Sequence, residues 1–173
     1  MTEVDRLGPR RRDALLIIRT ASTARVGLPV GPRARLSLRG PGPRGARYVL
    51  HVGHRGAGAH APENTLMAIR KAADLGAHMV ELDVRMSADG VAVLSHNAEV
   101  EMPERGRVPL HALTVVEAQR SRSTQETSVP TLAAALDLCQ ELHLGPYLEI
   151  KEAESVPQVV AALVARAAWV GTA

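Results

Sequence analysis

Four short apolar runs in this chain stop on, or carry, ionisable side chains. Tyr48–Gly53 runs into His54, Met79–Val84 carries Glu81 and Asp83, Val91–Leu94 leads to His96, and Tyr147–Lys151 carries Glu149 and Lys151. Runs of this length between turn residues predict strands. Helical spacing lies between and after them, so strand and helix alternate from Tyr48 onward. That alternation predicts an α/β sheet. In such sheets the working residues gather at the carboxyl ends of the strands.

The spacing of Leu66, Ile69, Ala73 and Leu75 predicts a helix over Glu63–Leu75, with Gly76 as its stop. Further helices are expected near Thr114–Ser121, from Leu132 to about Leu142 with Thr131 as N-cap, and from Ser155 to Trp169. Residues 97–129 otherwise read as polar and irregular. The link between the second and third strands holds an Asp89-Gly90 turn and is too short for a crossover helix. Spacing alone therefore favours a hairpin there, although an all-parallel sheet needs a crossover.

Charge divides the chain near Arg47. Residues 1–47 hold 11 Arg and 3 acidic residues, whereas the remainder is net acidic, so the overall charge of +3 conceals two opposite parts. Pro29, Pro32, Pro41 and Pro43 interrupt the head. Residues 1–47 are expected to be a disordered Arg/Gly/Pro-rich extension with a short helix over Asp13–Thr20, and residues 48–173 the folded domain. The chain has no Phe and 2% aromatic residues, which argues against nucleic-acid binding by stacking; no specific nucleic-acid partner is expected. A single cysteine, Cys139, excludes an internal disulfide and a multi-cysteine zinc site, and its apolar helical setting predicts a buried thiol. No apolar run has the length of a membrane span. The apolar stretch after Arg10-Arg11-Arg12 is shorter than a signal sequence requires, so a cytoplasmic location is expected.

On a strand, Glu81 and Asp83 share one face, and so do Glu149 and Lys151. Carboxylates facing together need a cation or a proton between them. Glu81, Asp83 and Glu149 form a hard oxygen donor set that suits Mg2+ or Ca2+. Arg55 offers a fork for phosphate, Lys151 a point charge, and His54 and His96 acid–base chemistry. Glu63 sits where it could also serve only as a first-turn helix acid. Together these groups describe hydrolysis of a phosphodiester. His51, His60, His78, His111 and His143 have no partner pattern.

The order of these motifs carries a resemblance. His54-Arg55-Gly56, then Ala61-Pro62-Glu63-Asn64-Thr65, Glu81-Leu82-Asp83-Val84, Asp89-Gly90, Ser95-His96 and Leu148-Glu149-Ile150-Lys151 follow one another over roughly 100 residues. This stretch resembles the glycerophosphodiester phosphodiesterase family, whose barrel belongs with the phosphatidylinositol-phospholipase-C-like phosphodiesterases. The resemblance implies a TIM barrel without a regular helix between its second and third strands. It implies a phosphoric diester hydrolase that converts a glycerophosphodiester and water to an alcohol and glycerol 3-phosphate. It implies catalytic roles for His54, His96, Arg55 and Lys151, a divalent metal on Glu81, Asp83 and Glu149, and support from Glu63 near the metal or on Arg55.

Two features depart from that pattern. His96 is followed by Asn97, where the family usually has Asp; an amide cannot stabilise an imidazolium by charge. A TIM barrel takes ~250 residues, and the four strands found here make about the first half of one. A truncated gene product, pairing with a second copy or another chain, and a stable half-domain are all open. Self-association would cover the open half-barrel. An inactive remnant or interaction module of the same fold, and a related lipid phosphodiesterase or lyase, are the alternative functions.

Overall fold

The computed structural model describes residues 50–121 and 128–166, and the backbone of 15–20 and 25–29. Its centre is strand β4, Met79–Met86. One edge of β4 pairs in parallel with β8, Gly145–Ile150, in a register that sets Glu81 against Tyr147, Asp83 against Glu149 and Val84 against Ile150. The other edge is shared by two strands. β3, Val52–Gly53, runs parallel to Met79–Val80, and β5, Ala92–Leu94, runs antiparallel to Val84–Met86. The link from β4 to β5 is therefore a hairpin, as its length suggested. Ser87 closes the turn, donating from Oγ to Asp89 and accepting from the Val91 N–H, while Gly90 takes φ +74°.

The strand alternation sorts side chains cleanly. Val80, Leu82, Val84, Leu148 and Ile150 face one side and are almost wholly buried there with Ile69, Leu132, Leu136 and Cys139. Those last four come from α1 (Leu66–Asp74) and α3 (Leu132–Glu141), which cover this face. Cys139 is a core thiol, and burial pushes its pKa up to about 12. Glu81, Asp83 and Glu149 lie on the opposite face.

Helix α1 begins later than its apolar spacing suggests. Thr65 is its N-cap and accepts the Ala68 N–H, so Glu63 stands before the helix. Thr131 caps α3 in the same way through the Ala134 N–H. Helix α4, Val156–Ala165, starts where expected, and the rest of its predicted span lies outside the described residues.

Two expectations need correction. Residues 97–129 are not simply irregular: β6 (Glu99–Met102) and β7 (Gly106–Pro109) form a hairpin, followed by a single 3₁₀ turn and α2 (Val115–Gln119). Val100, Met102, Val108 and Leu110 alternate with polar residues and pack with Val93 and Leu113 into a second small core. The helix expected over Asp13–Thr20 is the second correction. Leu15–Thr20 is strand β1, paired with β2 (Arg25–Pro29) and, in parallel, with β8 from Ile17 opposite Tyr147 to Thr20 opposite Ile150. A β-rich apolar run next to an unpaired strand edge gains a full ladder by adding to it. The rest of residues 1–47 lies outside the described residues. Among the described residues no helix is long and apolar enough to cross a membrane.

Leu148 is fully buried at the centre of the main core. Leu148→Ala is expected to cost about 2–5 kcal/mol of stability, read as a lower urea midpoint. An unchanged midpoint would mean that this face of β8 is not packed.

Candidate active site

The site grows from a gap in the edge of β4. Between the part paired with β3 and the part paired with β5, the backbone groups of Glu81 and Asp83 face neither strand. Loop residues satisfy them instead. The Gly56 N–H donates to the Glu81 carbonyl at 3.2 Å, and the Ser95 N–H to the Asp83 carbonyl at 3.0 Å. Asn64 closes the gap with its side chain: Oδ1 accepts the Asp83 N–H at 3.1 Å, and Nδ2 donates to Asp83 Oδ2 at 2.8 Å.

To reach this position the chain bends sharply after β3. Arg55 takes φ +53° and Gly56 φ +81°. A Cβ on Gly56 would lie 2.7 Å from the Cβ of Ala68, so the loop lies directly on the first turn of α1. Left-handed backbone at an arginine is costly and needs surrounding structure to hold it. Here the Arg55 N–H donates to Glu81 Oε2 at 2.9 Å, and the Arg55 carbonyl accepts the Asn64 N–H at 3.0 Å. Asn64 itself takes φ +55°, which asparagine tolerates better than most residues.

Six of the eight residues singled out in the sequence form one connected network. Glu81, Asp83 and Glu149 each offer a carboxylate oxygen within 4.8 Å of the others. Lys151 Nζ lies 2.7 Å from Asp83 Oδ1 and 3.1 Å from Glu149 Oε1. Arg55 donates to Glu63 at 2.8 Å, and its Nε lies 3.4 Å from Asp83 Oδ2, where it is buried without a hydrogen bond. His54 stands at the margin, its Nε2 3.9 Å from Glu81 Oε2 and its side chain 73% exposed. His96 does not touch the acidic group; its Nδ1 lies 3.0 Å from Asn97 Oδ1.

The charges settle unequally. Burial, reinforced by neighbouring Asp83, raises the pKa of Glu81 despite the Arg55 N–H. Burial also pushes on Asp83, but Lys151 and Asn64 outweigh it and hold its pKa below the usual range. Burial would lower the pKa of Lys151, and its two carboxylate partners raise it instead. The same opposition, won by Glu63, raises that of Arg55.

Two residues of this neighbourhood were given no role from the sequence. Asn64 lies in the loop before α1, and Arg85 continues the period-two series of Glu81 and Asp83 along β4, a signal that was there to read. His51 and His78 pair with each other away from the site, with ring centroids 5.3 Å apart.

Residues 54–169 match the model of the glycerophosphoryl diester phosphodiesterase family. The chain belongs to this family. It is 34% identical over 132 residues to mouse glycerophosphodiester phosphodiesterase 1, covering 71% of this chain and 39% of that protein. Among solved structures, a glycerophosphodiester phosphodiesterase from Thermotoga maritima superposes with a TM-score of 0.58 at 33% identity, over 67% of this chain and 50% of that one. An Oleispira antarctica phosphodiesterase in complex with the product sn-glycerol-3-phosphate gives 0.56 at 27% identity, over 68% and 51%. The architecture is thus of TIM-barrel type, and the chain spans about half the length of these solved relatives and about two-fifths of the mouse protein.

Asn64→Ala leaves the Asp83 N–H without its partner, and a loss of about 1–3 kcal/mol is expected. Asp83's depressed pKa gives stability that is present above the ordinary aspartate range and lost on acidification towards its folded value. The variant should shrink that acid-dependent part. Urea titrations across pH 2–6 check both; a variant with the same midpoint throughout would show that Asn64 does not support Asp83.

Proposed function

We propose that this chain carries a divalent-cation-dependent phosphodiesterase site that hydrolyses glycerophosphodiesters to an alcohol and glycerol 3-phosphate. The observation that carries the reading is the convergence of Glu81, Asp83 and Glu149 within 4.8 Å. The donor set fits a hard cation. Glu81 and Asp83 are buried, Lys151 and Arg55 offset part of the charge, and burial with the neighbouring Asp83 raises the pKa of Glu81, a cost that a cation there would relieve. Mg2+ or Ca2+ held by these three carboxylates would supply polarisation of a phosphoryl oxygen.

The chain's own residues supply the rest. Arg55, held by Glu63, presents a buried Nε–H without a hydrogen bond, a donor for a phosphate oxygen. Lys151 offsets negative charge that builds at phosphorus. His54 and His96 divide the proton transfers, one taking a proton as the new P–O bond forms and the other giving one to the departing alkoxide. With Nδ1–H directed at Asn97, the Nε2 of His96 is free to act. An amide steadies the resulting imidazolium less than a carboxylate would, so reduced turnover is expected.

The family supports the substrate class, since relatives are named glycerophosphodiester phosphodiesterases and one is complexed with sn-glycerol-3-phosphate. A cytoplasmic setting fits the single unpaired thiol. Self-association fits Leu50, Val52 and Leu75, which are exposed at and beside β3. One competing reading is a non-catalytic module of the same fold.

With glycerophosphocholine and Mg2+ or Ca2+, glycerol 3-phosphate release is expected to exceed that of His54→Ala and to stop on chelation. Glu149→Gln should lower it at least about a hundredfold, as loss of a metal ligand does. Release no faster than His54→Ala would sink the enzyme reading, and a cyclic phosphate product would mark a lyase. Asn97→Asp should increase turnover by placing a carboxylate beside the His96 imidazolium; unchanged turnover would remove Asn97 from the mechanism.

A further inference from the structure

Arg85 occupies the end of β4 and reaches the chain at two other strand ends. Its Nε and Nη2 both donate to the His96 carbonyl, at 3.1 and 3.0 Å, and its Nη1 pairs with the Glu152 carboxylate. The side chain is 16% exposed. His96 follows β5 and Glu152 follows β8, so one guanidinium ties both segments to the strand that carries Glu81 and Asp83. The segment holding His96 is otherwise pinned by the Ser95 N–H on the Asp83 carbonyl and by the Ser95 Oγ on the Asn97 carbonyl. Among the described residues the His96 ring hydrogen-bonds to Asn97, its own neighbour in the chain. Its placement therefore depends on its backbone, and Arg85 holds that backbone at the carbonyl.

We propose that Arg85 is a positioning residue for His96: its forked hydrogen bond to the His96 carbonyl, aimed by Glu152, sets where the imidazole stands relative to the carboxylates of β4 and β8. The inference rests on the proposed acid–base role of His96. Planarity matters to it. A guanidinium presents two parallel N–H groups to one acceptor and a third to a carboxylate, whereas an ammonium is a point donor without that fork. Glu152 fixes the orientation, and its second oxygen, Oε2, is buried without a partner. The Glu152 side chain is 36% exposed, but this oxygen is turned inward and the other faces Arg85.

The test is Arg85→Lys, which keeps the charge facing Glu152 and removes the fork. Histidine ring signals are followed by 1H–13C NMR, assigned with His54→Gln and His96→Gln, and divalent-cation affinity is measured by calorimetry. The expected result is a shift of the His96 signals with those of His54 and the cation affinity unchanged. In a protein that turns over, kcat should fall about ten- to a hundredfold at nearly constant KM, the size of loss a small misplacement of a reacting group causes. Unmoved His96 signals would overturn the proposal. So would equal displacement of His54 and His96 with weakened cation binding, which is general loosening. Should Arg85→Lys not fold, Glu152→Gln leaves the fork in place without the charge that aims it, and the same signals are judged by the same criteria. Absence of turnover in the wild type would count against the phosphodiesterase reading alone, because the NMR comparison decides the positioning role independently.

Discussion

The register between β4 and β8 is the constraint on which the rest depends. Because side chains alternate along a strand, one pairing decides both faces at once. With Asp83 opposite Glu149, two carboxylates stand side by side on one face, while Leu82 opposite Leu148 and Val84 opposite Ile150 go into the core. A slip of one residue would send acids into the core and leucines to the site. The apolar face therefore enforces the acidic one. The free energy of burying Leu82, Val84, Leu148 and Ile150 against α1 and α3 holds the like charges together on one face. Lys151 helps locally, two positions beyond Glu149 and just past the end of β8.

The opposite edge of β4 solves a different problem. A ladder from β3 to β5 without interruption would leave no room for a loop to reach the carboxylates. Both partner strands are short, and the gap between them is filled by Gly56, Asn64 and Ser95. Each meets a backbone group that would otherwise be orphaned near the site. The left-handed turns at Arg55 and Asn64 follow from that requirement: the chain must bend tightly enough to aim an arginine at Asp83 and an amide at the same carboxylate. Strain at two residues is offset by hydrogen bonds that only this bend permits.

Much of this was legible in the sequence, for identifiable reasons. The i, i+2 acids on Met79–Val84, the Thr131 cap before Leu132, and the short Asp89-Gly90 link are local signals, and local signals survive without knowledge of the fold. The faces of β4 and β8 followed from alternation alone. The β6–β7 hairpin was overlooked because its alternation is short, with Glu and Arg on the outward positions, and reads as a polar loop. The strand at Leu15–Thr20 was read as a helix, since an apolar run as short as Leu15–Ile18 has no fixed preference until an open strand edge is offered to it. Asn64 was read as part of the Glu63-Asn64-Thr65 motif but given no role of its own, because its importance lies in a contact 19 residues away, in the edge of a strand. The network around Lys151 likewise depends on the β4–β8 register, which no single stretch encodes.

Every residue assigned to the proposed site lies between His54 and Lys151, although the chain spans about half the length of the solved relatives. The acidic group is already held in place within that span by core packing and register, so its assembly does not wait on a closed barrel. Shielding is another matter. The His54 ring is 73% exposed, and a proton-transfer group so open to solvent works in a high dielectric, where each charge in the site counts for less. In the proposed function, binding of a cation and phosphate would draw on Glu81, Asp83, Glu149, Arg55 and Lys151, most of which are sheltered, whereas rate acceleration would also draw on the exclusion of water around His54 and His96. On physical grounds these two properties would separate, with ligand binding the more robust and turnover the more dependent on the surface that covers His54.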